Sequence, residues 1–179
     1  MSLRPKQRRL RGFARHQVGA SAVEFALVAP MLLALIFSTM EAGWTMVQTI
    51  MLDRALDVSV RSLRIGSMAN PTHEALRTAV CDAAMVLADC RQTLALELIP
   101  VTGAASYPND QVRCVNRGST IQPVLRFDAG QRSQTVFVRA CFVVEPLTPY
   151  LGLGLALPKD ETGAYRIIAK SAFANEPGP

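Results

Sequence analysis

Histidine is scarce in this chain, paired carboxylates are scarcer, and the common signatures of catalysis are missing. There are two histidines and no C-x-x-C pair, which leaves no set of residues at zinc-binding spacing. Gly152-Leu153-Gly154 has neither the third glycine nor the strand–helix setting of a dinucleotide site. Neither G-x-S-x-G nor S-x-x-K occurs. Beyond residue 41, acidic residues stand singly except at Asp160-Glu161. His16 lies among basic residues, and His73 falls where a helix should begin, a position suited to a solvated side chain. No catalytic, metal or cofactor site is therefore expected, and the chain reads as a non-enzyme. Charge is sparse too. Only 18% of residues are charged and 50% are hydrophobic, a balance that excludes a disordered tail or a charge-rich nucleic-acid binder.

The charge that is present lies unevenly. Arg4, Lys6, Arg8, Arg9, Arg11 and Arg15 fall within residues 1–18, with no acid among them. The net charge of +5 thus belongs to a leader and not to a nucleic-acid-binding face. From Phe25 to Met40 no charged residue appears, and Glu41 closes the run. As a helix that run reaches only about 24 Å; counted from Ala20 it reaches about 32 Å, which spans a hydrocarbon layer of about 30 Å. The six cations before it argue against a buried core helix. Ser38-Thr39-Met40-Glu41-Ala42 is a poor cleavage site for a secretory signal. A retained membrane span is the expectation, with the leader in the cytoplasm and the remainder exported. Glu24 lies inside this span, where a carboxylate is costly except near the interface. Either it reaches the cytoplasmic headgroups or it needs a cationic partner. A cut after Gly19 would create one, the free amine of Ala20. One helix cannot easily bring its own first amine onto its fifth side chain, but a neighbouring copy staggered along the axis can.

The stretch Gly19-Ala20-Ser21-Ala22-Val23-Glu24-Phe25-Ala26-Leu27-Val28-Ala29-Pro30, behind a basic leader, resembles the processing site of type IV prepilins. It is similar in particular to the TadE/TadF-like pseudopilins of tight-adherence (Tad, Flp-pilus) systems. The likeness runs on through Glu41-Ala42-Gly43 and fades near Gly66. Phe173-Ala174-Asn175-Glu176-Pro177 is similar to a closing motif of some TadE members, and with the chain length it leans towards TadE over TadF. The resemblance implies cutting after Gly19 by a prepilin peptidase, with Ala20 as the new amine and Glu24 as its partner. It implies a role in building a pilus. The partners it implies are that peptidase, other pilin or pseudopilin helices, the inner-membrane Tad assembly machinery and membrane lipid, with no nucleic acid. The expected location is the bacterial inner membrane, crossed once, with the N-terminus cytoplasmic and the C-terminal domain periplasmic or carried into a pilus. The main alternative is a signal-anchored periplasmic protein, never processed, that binds or modifies envelope components.

Beyond Gly43 the helix should continue, with Trp44, Val47, Met51, Leu52, Leu56, Val60 and Leu63 as one apolar stripe and Gly66 as the stop. Trp44 stands where interfacial aromatics anchor a span. Pro30 should bend the membrane half. A second helix should start at Asn70-Pro71-Thr72, capped by Asn70 or Thr72, and run to the neighbourhood of Ala88. Leu94, Leu96 and Leu98 alternate as a strand ended by Pro100. Residues 102–120 read as a loop with a turn at Tyr107-Pro108-Asn109-Asp110, and Pro123 to Phe127 as a short strand. Gln134 to Val144 is apolar on both faces, the pattern of a central strand, and Tyr165 to Phe173 is the last strand. The fold class is α+β: a long pilin-type helix, a second helix, then a small antiparallel sheet of about four strands packed on the long helix. The chain divides into a leader (1–19), a TadE-like helix (20–66) that spans the membrane to the vicinity of residue 41, and a periplasmic α+β domain (67–179).

Cys81, Cys90, Cys114 and Cys141 suit disulfides in an oxidising compartment; buried free thiols are the alternative. Three pairings exist, and the sequence does not choose among them. Loop arithmetic favours Cys81–Cys90 as a local clasp and Cys114–Cys141 as a tie from the polar loop to the central strand. In one unbroken helix Cys81 and Cys90 would stand about 13 Å apart, too far for a bridge, so the helix must end between them.

Overall fold

A computed structural model describes residues 19–68, 71–109, 112–120 and 122–175. The basic leader, Asn70 as a cap, Asp110 of the expected turn and Glu176-Pro177 of the closing motif lie outside the described residues. Helix α1 (Ala20–Arg64) is 45 residues long and runs unbroken through Pro30, about 68 Å at the usual rise. Its two halves differ. From Ala20 to Met40 every side chain is exposed or half-buried. From Leu52 onward, Leu52, Ala55, Leu56, Val60 and Leu63 are buried, and Arg61 and Arg64 in the last turn suit the negative end of the helix dipole. The apolar stripe expected from Trp44 is therefore correct only from Leu52. Between residues 41 and 48 the inward positions belong to Glu41 and Gln48, while Trp44 and Val47 face out.

Helix α2 (His73–Ala83) begins at Thr72, whose hydroxyl oxygen accepts from the Ala75 N–H at 3.1 Å, a side-chain cap of the usual kind. Pro71 precedes the cap instead of filling the first turn. The helix stops at Ala83 and does not continue towards Ala88. Ala84 departs from helical geometry (φ −98°, ψ 63°), and Asp89 adopts a left-handed φ of 51° to open the short α3 (Cys90–Thr93). This reversal brings Cys81 and Cys90 into a disulfide with a Cα separation of 5.6 Å.

Strands β1 (Leu94–Val101), β2 (Thr135–Val144) and β3 (Tyr165–Ala174) form one antiparallel sheet in the order β1-β2-β3. The sheet has three strands, one fewer than expected, because Pro123 to Phe127 does not pair as a strand. That segment meets the free edge of β1 at one point, a parallel bridge between Phe127 and Leu98. The Leu98 N–H donates to the Arg126 carbonyl at 2.9 Å, and the Asp128 N–H donates to the Leu98 carbonyl at 3.2 Å. The segment therefore shields the edge at one point without lengthening the sheet. Pro100 lies inside β1, opposite Val136. It shares the parity of Leu98, so its nitrogen faces the open edge and no ladder bond is lost. A fourth helix, α4 (Gly152–Ala156), interrupts the β2–β3 connection.

One face of the sheet packs on the helices. Leu96, Leu98, Val138, Phe142 and Ile167 share a single buried cluster with Leu52, Leu56, Leu76 and Val80. The loop after β1 roofs the other face. There the buried Arg139 guanidinium donates from Nε to Glu97 Oε2 at 3.1 Å and from Nη1 to the Asn109 carbonyl at 2.9 Å. Tyr107 meets Phe137 edge-on, with 5.8 Å between ring centroids. A disulfide with a Cα separation of 5.4 Å joins Cys141 to Cys114. Cover on both sides explains why β2 reads as apolar on both faces.

Candidate functional site

The residues singled out by sequence gather at the start of α1. Gly19 is its N-cap, with φ −93° and ψ −13° and no side-chain cap bond. Any residue adopts that conformation, and a Cβ added there would meet nothing within 4 Å. Ser, Thr, Asp or Asn would cap the helix better. The fold gives no reason for glycine at this position. Ala20 is the first helical residue, Glu24 lies one turn on, and both are exposed, as is Phe25. Nothing in the fold demands a carboxylate here either. The helix that follows is, among the described residues, the one long and apolar enough to cross a membrane, and no residue of its apolar stretch is buried by the other described residues.

A second cluster stands at the other end of that stretch. Glu41 is fully buried. Its Oε1 accepts from the Leu147 N–H at 3.2 Å, and its Oε2 accepts from the Thr148 N–H at 2.9 Å and the Thr148 hydroxyl at 3.1 Å. One turn earlier, the Ser38 hydroxyl donates to the Ala34 carbonyl at 2.6 Å and accepts from the Leu153 N–H at 3.0 Å. One turn later, Thr45 Oγ1 lies 3.0 Å from the Tyr165 hydroxyl, which donates to Gln48 Oε1 at 3.3 Å. Burial pushes the Tyr165 phenol above its ordinary value, the Thr45 hydrogen bond opposes this, and nearby Glu41 adds to it. The sequence marks Glu41 as the end of the apolar run and as part of the family likeness, and gives no sign of this seam's partners beyond composition. Residues 146–158 contain no charge and five leucines, an apolar segment between two strands.

The remaining polar candidates have structural roles. His73 meets Phe127 edge-on, 5.5 Å between ring centroids. Burial and the neighbouring Arg77 hold its imidazole below the ordinary value, against a backbone hydrogen bond at Leu96 and the charge of Glu74. Asp160 closes the turn before β3. Its Oδ1 accepts from the Thr162 N–H at 2.8 Å, the Thr162 hydroxyl at 2.6 Å and the Ala164 N–H at 3.1 Å. Desolvation raises this carboxyl, but those bonds and Arg166 outweigh it, and the net shift is downward. Among the described residues no group of three His, Cys, Asp or Glu side chains is placed to hold a metal ion.

No curated protein and no solved structure matches the chain. Residues 19–61 match the family model of TadE-like proteins. The matched segment begins at the N-cap glycine, takes in Ala20, Glu24 and Glu41, and ends in the last turn of α1, so the long helix of this chain is similar to that of TadE-like proteins.

Proposed function

We propose that the chain is a membrane-anchored pseudopilin of the TadE/TadF-like kind that takes part in assembling a Tad (Flp-type) pilus. A prepilin peptidase cuts after Gly19, residues 1–19 are lost, and Ala20 becomes the new N-terminus. The anchor crosses the bacterial inner membrane once, and the remainder of the chain, including residues 67–179, lies in the periplasm or enters the pilus. The carrying observation is the division of α1. Its first half offers an apolar surface that the other described residues leave largely exposed, and its second half is the core helix of the α+β domain. A helix built in this way couples a folded domain directly to lipid or to neighbouring pilin-type helices. Gly19 and Glu24 support processing and assembly because the fold itself makes no use of them. The ammonium of Ala20 in one subunit pairs with Glu24 of the next, which resolves a carboxylate in an apolar setting.

Intact-mass measurement of membrane-extracted protein, from cells with and without the peptidase, tests this. The expected product lacks residues 1–19 only when the peptidase is present, and Gly19→Leu keeps the full length. Wild-type protein that still begins at Met1, or that begins near Ala42, overturns the reading.

A further inference from the structure

We propose that the β2–β3 connection, residues 146–158, is a second membrane contact: a foot lying in the bilayer interface on the domain side, beside α1. The proposal rests on the reading of α1 as a membrane anchor.

The first argument is level. The foot is clamped to α1 by the Leu153 N–H on Ser38 and by Gly152, where an added Cβ would stand 2.3 Å from Ser38 Oγ and 2.9 Å from the Ala34 carbonyl oxygen. A hydrocarbon layer of about 30 Å, measured along the helix from Ala20 or from Phe25, puts Ser38 about 3–10 Å inside the domain-side boundary. Amphipathic elements that lie in the interface sit about 5–10 Å deep. A loop held against Ala34 and Ser38 cannot stay clear of a membrane that covers them.

The second argument is surface chemistry. Between Glu145 and Lys159 there is no charged residue. The side chains that point away from the protein are large and apolar: Tyr150 is 88% exposed, Leu155 61% and Leu147 55%. Tyrosine and tryptophan favour the headgroup level, and Trp44 lies within a turn of Glu41 on the same helix.

The third argument is the backbone. Much of the foot's backbone is already bonded within the protein, which favours a place in the polar interface over the hydrocarbon layer. Pro146, Pro149 and Pro158 have no N–H to satisfy. Leu147 and Thr148 donate to Glu41 and Leu153 donates to Ser38. The Leu151 and Leu157 N–H groups donate to carbonyls within the foot. Glu41 is fully buried beneath the loop and shows no carboxylate to lipid. Lys159 closes the segment, its Nζ donating to the Pro149 carbonyl at 2.9 Å.

The test uses the full chain in phosphatidylethanolamine/phosphatidylglycerol vesicles, with Trp44→Phe to remove the sole tryptophan. Single tryptophans are then placed at exposed positions by Tyr150→Trp and Leu155→Trp. Leu32→Trp reports on the span and Val58→Trp on the helix about 25 Å beyond Glu41. Emission from Tyr150→Trp and Leu155→Trp should be blue-shifted and quenched by lipid brominated near the headgroup, and shielded from aqueous acrylamide. Val58→Trp should be quenched by acrylamide only. If the two foot positions behave like Val58→Trp while Leu32→Trp is quenched by bromolipid, the anchor stands and the foot is refuted. If Leu32→Trp also escapes bromolipid, the anchor reading falls and the foot with it. Shielding of the foot from both quenchers, with cross-linking to a second copy, assigns the surface to a protein neighbour and also overturns the proposal.

Discussion

Glu41→Gln is a nearly isosteric change, and its effect follows from three donors. The carboxylate accepts from two N–H groups and one hydroxyl, all from Leu147 and Thr148. An amide keeps one acceptor oxygen and turns an NH₂ towards groups that also donate. A hydrogen bond to a charged acceptor contributes about 1.5–3 kcal/mol, and the bond that survives becomes a weaker neutral one. Together this predicts about 2–4 kcal/mol less resistance to local opening of the foot. In amide hydrogen exchange, on the full chain in detergent micelles, Leu147 and Thr148 should exchange about 30- to 1,000-fold faster than in wild type. The amides of Val138 and Phe142, in the sheet core, should keep their protection. Glu41→Asp retains the charge on a shorter side chain and should expose the same two amides, which would show that reach is needed as well as charge. Unchanged exchange at Leu147 and Thr148 in Glu41→Gln would show that their donors do not depend on this carboxylate. Equal loss at Val138 would show that Glu41 supports the whole domain and not the foot.

Other outcomes follow from the same contacts. Glu24→Gln should leave membrane insertion intact, since it removes a charge from the apolar run, but should impair pilus assembly; normal piliation would mean that Glu24 merely reaches the headgroups. Cys141→Ser opens a closure of 27 residues, which the chain-entropy model values at about 3.5 kcal/mol, so denaturant midpoints and cellular abundance should drop while insertion persists. His73 is held below its ordinary value by burial and Arg77. The unfolded chain therefore binds more protons than the folded one, and stability declines as pH falls from about 7 through the unfolded value near 6.5 to the lower folded value. His73→Gln should flatten that limb, read as the difference in unfolding midpoint between variant and wild type across pH 7.5 to 5.

Where a structural feature followed from local periodicity, it was readable before any coordinates. The long apolar helix and the central place of β2 came from residue patterning, and the start of α2 came from its capping residues, which offered Asn70 or Thr72 and left the choice to the fold. The Cys81–Cys90 bridge carried its own requirement that the helix end between the two residues, and Ala84 and Asp89 meet it. Elements that depend on an approach from elsewhere in the chain were not readable. An apolar-stripe count could not place Glu41 and Gln48 inside, because their donors arrive from residues more than a hundred positions away. The segment at Pro123 to Phe127 has strand composition, but a strand needs a run of partners, and β1 offers it one bridge. At the candidate site, Gly19, Ala20 and Glu24 were legible through a family pattern. The foot was not, since leucines and prolines between two strands look like an ordinary connection until Ser38 and Gly152 are seen in contact.

Two glycines and two glutamates on or against α1 separate what folding asks of this sequence from what something outside the fold asks. Gly152 has φ +58° and no room for a Cβ; the packing of the foot requires it. Gly19 has an ordinary conformation and open space; packing is indifferent to it. Glu41 finds its donors within the chain and is buried by them. Glu24 is exposed in an apolar run, where a carboxylate alone is unfavourable. The first member of each pair is explained once the chain has folded. The second members, Gly19 and Glu24, stand five residues apart inside the segment that matches the TadE-like model. A glycine that no turn needs, followed by an acid with no donor among the described residues, suits a recognition site for an outside protein. Those two residues, more than the length of the helix, support the proposed processing and subunit pairing over a simple anchor. An anchor would do as well with serine at residue 19 and leucine at residue 24.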